Sequence, residues 1–334
     1  MHRIVDDRTG AAFDCAGDDA ILRAGLRAGL ALPYECNVGG CGSCKFELLA
    51  GEIAGDRADL PGLSPRDRQR GRRLACQARP LSDCRIRMLG RGEAAEGPVP
   101  RRLRARLVAV ADLTHDMREF RFVTERSADF RPGQYALLSP DGLEAPRAYS
   151  MSNLANPEGE WHFVIRHVPQ GEATSRLFDL CPGAEIAIDG PYGLAFLRAV
   201  PERDIVCIAG GSGLSPMLSI ARGVDADAAF AARNLHFVYG GRAARDICGE
   251  SLLRSLPRIG SRLRFHPIVS AATDGTWTGR TGLVHEVLDE LLAEEAAGAE
   301  YYLAGPPPMT EAVLTLLTRG RAVPSAQIHY DRFF

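Results

Sequence analysis

No apolar run in these 334 residues approaches the ~18 that a membrane span needs, and Met1-His2-Arg3-Ile4-Val5-Asp6-Asp7 shows no secretory h-region. The expectation is a cytoplasmic protein with no membrane partner. An excess of one charge is missing too. Lys and Arg number 40 against 42 Asp and Glu, a net charge of -2, which gives no footing for nucleic-acid binding. None of the eight histidines shows His-x-x-x-His spacing, so His115, His236, His266 and His285 read as structural or exposed. Internal repeats and low-complexity segments are absent. What remains, 46% hydrophobic and 25% charged residues, describes a globular chain whose length suits two or three domains.

Cysteine is the residue the chain does have, and nine of them in a reducing compartment suit metal better than disulfides. Cys36, Cys41, Cys44 and Cys76 are separated by four, two and thirty-one residues, the spacing of a plant-type [2Fe-2S] ligand set. Asn37-Val38-Gly39-Gly40 and Gly42-Ser43 lie between the first three, and glycine lets a loop turn its N–H groups toward bound sulfide. The competing reading is a zinc site, but that usually pairs two short knuckles and only Cys41 and Cys44 form one. Cys15, Cys84, Cys181, Cys207 and Cys248 lack ligand spacing and read as small buried hydrophobes. Two arginine-rich stretches, Arg66 to Arg73 and Arg101 to Arg106, are either solvated faces or a docking surface for an acidic redox partner.

Residues 93–100, rich in Gly and Pro, read as a linker between an N-terminal domain, 1–92, and a second domain, 101–198. Short strand-like runs follow at Leu103 to Val110, Met117 to Val123, Gln134 to Leu138, Glu160 to Val168 and Glu185 to Ile188. A helix is expected at about Ala173 to Leu180, and the strands suit a small antiparallel barrel. From 199 to 334 strands alternate with helices, at Asp204 to Ala209, Leu235 to Tyr239, Leu263 to Val269 and Tyr301 to Ala304, the pattern of a parallel α/β sheet.

Arg147-Ala148-Tyr149-Ser150 ends a barrel strand, and Val164-Ile165-Arg166 precedes Gly171-Glu172-Ala173-Thr174-Ser175 at the helix start. A guanidinium fork and a helix N-terminus bearing a hydroxyl together suit a pyrophosphate. Further on, Ile205 to Ala209 leads into Gly210-Gly211-Ser212-Gly213-Leu214-Ser215-Pro216, a glycine turn opening a helix, with Pro216 where a Rossmann fingerprint has glycine. Tyr239-Gly240-Gly241-Arg242 and Gly305-Pro306-Pro307-Pro308-Met309 follow later strands.

Pro33-Tyr34-Glu35-Cys36 and the cysteine loop resemble plant-type ferredoxins over roughly residues 1–90, which implies a β-grasp fold there. The remaining motifs resemble the ferredoxin-NADP reductase family. The domain order resembles reductase components of bacterial multicomponent oxygenases, and Gly190-Pro191-Tyr192-Gly193-Leu194 and Asp331-Arg332-Phe333-Phe334 look most like toluene monooxygenase reductases. The resemblance implies FAD held by Arg147, Ala148, Tyr149, Ser150, Val164, Ile165, Arg166, Gly171 and either Thr174 or Ser175, with Thr174 preferred. Ser150 would hydrogen-bond near flavin N5, and Phe333 or Phe334 would cover the ring. It places the nucleotide on Gly211, Gly213, Pro216, Arg242, Gly305 and Met309, with Ala304 where the family usually has cysteine. Arg242 and Arg245 could meet a 2'-phosphate, whereas Asp246 argues for NADH over NADPH. Hydride would pass from NADH to flavin, and single electrons through the cluster to an oxygenase component, a Rieske ferredoxin or a diiron hydroxylase. A monomer is expected. The alternatives are the reductase of a ring-hydroxylating dioxygenase or of a deoxysugar pathway, and a slow redox-sensing module.

Overall fold

The computed structural model describes residues 1–55, 60–92, 97–200, 202–272, 275, 277–291 and 298–333. Residues 93–96 of the expected linker, and Phe334, lie outside that set. The chain divides into two compact units, residues 1–102 with 146–148 and 189–192, and residues 103–145, 149–188 and 193–334. Arg147 and Ala148 therefore belong to the first unit, Tyr149 and Ser150 to the second.

The first unit contains β1 (His2–Asp6), β2 (Ala12–Cys15), α1 (Ile21–Arg27), β3 (Lys45–Ala50), β4 (Ile53–Ala54), α2 (Pro65–Gln69), β5 (Arg72–Leu74), β6 (Arg79–Pro80) and β7 (Cys84–Met88). Its main sheet runs in the order β2-β1-β7-β3-β5, with α1 packed on β2. The β7 segment Cys-Arg-Ile-Arg-Met alternates buried and exposed, the period-2 pattern of a sheet with one wet face. Helix α2 opens on a capping box. The Ser64 hydroxyl accepts from the Asp67 N–H (3.1 Å), the Asp67 carboxylate accepts from the Ser64 N–H (3.2 Å), and Pro65 occupies the first turn.

The second sheet, order β11-β10-β13-β8-β9-β12, joins β8 (Arg101–Asp112), β9 (Met117–Thr124), β10 (Tyr135–Ser139), β11 (Arg147–Ser150), β12 (Glu160–Arg166) and β13 (Glu185–Tyr192), with α3 (Glu172–Phe178) between the last two. Its edges meet, because Met151 bridges Phe163 and the Ser152 N–H donates to the His162 carbonyl at 2.7 Å. The sheet thus closes as a barrel around Leu107, Phe120, Phe122, Trp161 and Ile188. Along β8 the arginines 102, 104 and 106 alternate with Leu103, Ala105 and Leu107, and Arg104 pairs with Glu185 at 3.0 Å. That arginine-rich stretch is a solvated strand face.

The third sheet is parallel throughout, order β17-β16-β15-β14-β18-β19, from β14 (Ile205–Gly210), β15 (Leu235–Gly241), β16 (Leu263–Val269), β17 (Arg280–Thr281), β18 (Glu300–Gly305) and β19 (Ile328–Arg332). Helices α4 (Leu214–Ala226), α5 (Glu250–Arg254), α6 (Val284–Leu291) and α7 (Pro307–Thr315) complete it. Strand β14 is apolar at every position because it feeds two cores. Ile205, Cys207 and Ala209 join one, Val206 and Ile208 the other. Chain order reverses between β14 and β18, so the loops after them part and leave a crevice at their carboxyl ends.

Candidate functional site

The pairing of β3 with β5, Lys45 opposite Leu74, sets Cys44 beside Ala75 and Cys76, and the Ala75 N–H donates to the Cys44 carbonyl at 3.0 Å. Strand register thus delivers the distant fourth cysteine. Cys36 and Cys41 are neighbours, the Cys41 N–H donating to the Cys36 sulfur at 3.3 Å, and Cys44 and Cys76 are buried side by side where β3 and β5 pair. A [2Fe-2S] cluster needs two thiolates per iron, and four cysteines gathered in this way fit it. The hydrogen bond from Cys36 draws the Cys41 thiol down to about 5, against the effect of burial, with help from the Ser43 N–H. Cys36 is correspondingly pushed up.

Three of the four cysteines are buried and Cys41 is half-exposed. The loop's conformation depends on Gly42. Its φ is +79°, and an added Cβ would lie 2.5 Å from the Gly62 carbonyl oxygen. Asn37, 1% exposed, has both amide atoms without a hydrogen-bond partner among the described residues, a polar group such as a bound cluster would satisfy. Arg23 is buried alongside. Its Nη1 donates to the Cys76 carbonyl at 3.3 Å, and its Nε is 3.6 Å from Asp19.

In the second unit, closure of the barrel brings Tyr149 and Ser150, at the end of β11, next to Val164, Ile165 and Arg166 on β12. Ser215 locks this seam. Its hydroxyl donates to the Ser150 carbonyl at 2.7 Å and accepts from the Val164 N–H at 3.0 Å. One and two turns later Ser219 donates to the Asn153 carbonyl (2.7 Å) and Arg222 to that of Ser152 (2.6 Å). Neither Ser215 nor the seam is legible as a site from the sequence. The one signal is the i, i+4, i+7 row of polar residues at 215, 219 and 222 along α4. Ser215→Ala would leave a buried N–H and carbonyl unsatisfied, an expected loss of about 1–3 kcal/mol, read as a lower unfolding midpoint.

Thr174 and Ser175 differ in what their hydroxyls do at this turn. The Thr174 hydroxyl, 8% exposed, accepts from the Val168 N–H at 3.1 Å and lies 3.1 Å from the Gly171 carbonyl, closing the turn that starts α3. Ser175 is the half-buried hydroxyl beside it.

At the crevice beyond β14, β15 and β18 lies a cavity of about 540 Å³, a size suited to a small-molecule ligand. Gly211, Arg242 and Met309, expected to hold the nucleotide, line it, and so does Phe333, expected over the flavin ring. Arg166, expected with the flavin, lines it too. Gly213, Pro216 and Gly305 do not. They are buried behind it, with Gly213 pressed against Ala304. Pro216 is at home there, since the first turn of α4 has N–H groups without helical partners and a missing one costs nothing.

Two carboxylates missing from the expected binding set shape the cavity. Asp116 accepts from Arg166 Nε at 2.6 Å and from the Thr114 hydroxyl at 3.0 Å. Burial raises its carboxyl, but Arg166 outweighs that and holds it below the usual range. The guanidinium is thereby fixed against Gly211, where an added Cβ would lie 3.5 Å from Nη1. Asp246 accepts from the Arg242 and Ala243 N–H groups at 2.9 and 3.0 Å, closing the turn after β15.

Known proteins agree with this division of labour. Residues 4–81 match the 2Fe-2S iron-sulfur cluster binding domain, 104–196 the oxidoreductase FAD-binding domain and 207–315 the oxidoreductase NAD-binding domain. The chain is 41% identical to the ferredoxin–NAD(P)+ reductase CarAd of Metapseudomonas resinovorans, covering 96% of each chain. It is 32% identical to the xylene/toluene monooxygenase electron transfer component XylA of Pseudomonas putida, covering 97% of this chain and 91% of that one. The solved ferredoxin reductase in carbazole 1,9a-dioxygenase superposes with a TM-score of 0.91 at 37% identity, over 100% of this chain and 98% of the other.

Proposed function

This chain belongs to the ferredoxin–NAD(P)+ reductases that carry [2Fe-2S], FAD and NAD-binding domains, and from that premise we propose that it supplies electrons from NADH to the oxygenase component of a multicomponent oxygenase. The observation that carries the reading is the gathering of the four cysteines by one loop and the β3–β5 register, in a chain that also holds a cavity of about 540 Å³ at the end of the parallel sheet. The bound cofactors supply the redox chemistry, a hydride accepted as an electron pair and electrons released singly at the cluster.

The chain's residues bind and orient. Cys36, Cys41, Cys44 and Cys76 hold iron. Tyr149 offers a ring face to the flavin, Ser150 a hydroxyl near its N5, and Ser175 takes the helix-start role, while Arg147 keeps the pyrophosphate role its motif implies. Arg166, aimed by Asp116, and the glycine turn at Gly211 receive nucleotide phosphate. Phe333 covers the cavity. Asp246 puts a carboxylate in the cavity lining after β15, which would repel a 2'-phosphate and favours NADH. The division into domains at 1–92, 101–198 and 199–334, a monomeric state, the cytoplasm and a Rieske ferredoxin or diiron hydroxylase as acceptor belong to the same proposal.

Anaerobic NADH addition to the purified protein tests it. The expected result is bleaching of both the yellow chromophore and the cluster absorbance within seconds, with kcat/KM for NADPH at least roughly tenfold lower. Nucleotide binding without bleaching would leave only a sensor.

A further inference from the structure

Helix α2 presents Arg66, Arg68 and Arg70 to solvent, all three exposed, while its one carboxylate, Asp67, is buried and neutralised by Lys45 (2.8 Å) and Arg72 (2.8 Å). Arg66 and Arg70 have no ion pair among the described residues, so their charge is not cancelled within the fold. The segment leading into the helix is tied to the cysteine loop. The Gly62 N–H donates to the Gly39 carbonyl (3.0 Å), and Arg68 Nη2 holds the helix to the same segment at the Leu60 carbonyl (3.3 Å). Lys45, which holds Asp67, follows Cys44 directly. Cys41, the half-exposed ligand, lies in the loop this helix borders. Asp56 and Asp59 lie outside the described residues.

We propose that the α2 arginine ridge is the docking surface for the acidic face of the protein that accepts this chain's electrons. Three features favour that occupant. The ridge carries one sign of charge, it is built from guanidinium groups, which form two-point contacts with carboxylates, and it borders the point where an electron leaves the cysteine loop. Complementary charge raises encounter rates and fixes orientation, so a partner seated on α2 meets the loop with its own redox centre foremost. This rests on the electron-transfer reading above.

The test uses the full holoprotein and, as the acceptor, an acidic plant-type ferredoxin. Binding is followed by titration calorimetry between 20 and 300 mM NaCl. Wild type is expected to bind with affinity that falls as salt rises. Arg66→Glu with Arg70→Glu is expected to weaken low-salt binding at least roughly tenfold and to remove the salt dependence. Arg66→Gln with Arg70→Gln should fall between. Glutamate at position 66 is in the first turn of α2, where the helix dipole favours it, so the fold should tolerate the change. Equal affinity and equal salt slope in wild type and the Glu variant, or no salt-dependent binding by wild type, overturns the docking surface. NADH bleaching is measured on the same samples. Its absence in wild type overturns the electron-transfer reading, and the calorimetry still decides the surface on its own.

Discussion

Cys76→Ser is expected to strip the protein of iron, from about two atoms per chain to near zero, while the yellow chromophore and its bleaching by NADH persist. Reduction of a protein acceptor should fall by more than about 100-fold, beyond the 10- to 100-fold typical of losing a mere outer partner of a metal ligand. The reason lies in how the cysteine is presented. Cys76 is 2% exposed, its segment is registered against Cys44 through β3 and β5, and the Gln77 amide donates to its sulfur at 3.6 Å. A serine oxygen is a harder ligand on a shorter bond, and the strand pairing prevents the backbone from following. Iron and flavin analysis with a visible spectrum decides it. A variant that keeps both its iron and its rate would remove Cys76 from the ligand set. Cys84→Ser, eight residues on, serves as control and should leave iron content unchanged.

That asymmetry between a ligand cysteine and a bystander is readable in the sequence alone, because metal ligation imposes spacing and packing does not. The parallel sheet is readable for a similar reason. Runs such as Ile205 to Ala209 are apolar at every position only when both faces are covered. Strand β19 is not. Ile328–Arg332 carries His329, Asp331 and Arg332 and has no apolar run to mark it as a strand, while Glu300, buried in β18, holds His329 at 2.6 Å and Arg203 at 2.7 Å. Burial raises the Glu300 carboxyl, but the hydrogen bonds from His329 and Arg203 outweigh it and hold it below the usual range. An edge strand tied by a buried polar contact has no hydrophobic signature. The same limit hides Asp116 and Ser215, whose work depends on partners fifty and more residues away, at Arg166 and at Ser150 and Val164. The choice between Thr174 and Ser175 is finer still. Two adjacent hydroxyls are equivalent in a motif, and only the local turn shows which is already committed.

Gly213 separates a binding glycine from a packing one, and Gly213→Ala should be the most damaging single-methyl change in the nucleotide half. Its φ is -58°, so any residue could adopt the backbone, and strain is not the issue. Space is. An added Cβ would lie 2.0 Å from the Ala304 carbonyl oxygen and 2.6 Å from its carbon, both backbone atoms of a central strand that is itself hydrogen-bonded into the sheet. Neither atom can turn aside, so α4 must lift away from β18. That movement would also pull Ser215 from the seam it locks at Ser150 and Val164. Overpacking commonly costs about 1–3 kcal/mol where side chains can adjust, and a clash with fixed backbone should reach the upper end or exceed it. Gly211→Ala makes the comparison. There φ is +56°, and the added methyl would meet only the Arg166 guanidinium at 3.5 Å, so the expected cost is about 1–2 kcal/mol of backbone strain with crowding confined to the cavity. Thermal unfolding and NADH affinity should therefore dissociate. Gly211→Ala should lose affinity with the smaller drop in midpoint, whereas Gly213→Ala should lose both heavily. An alanine at 213 with native midpoint and native NADH affinity would show that α4 and β18 are not packed as closely as described, and the seam argument built on Ser215 would fall with it.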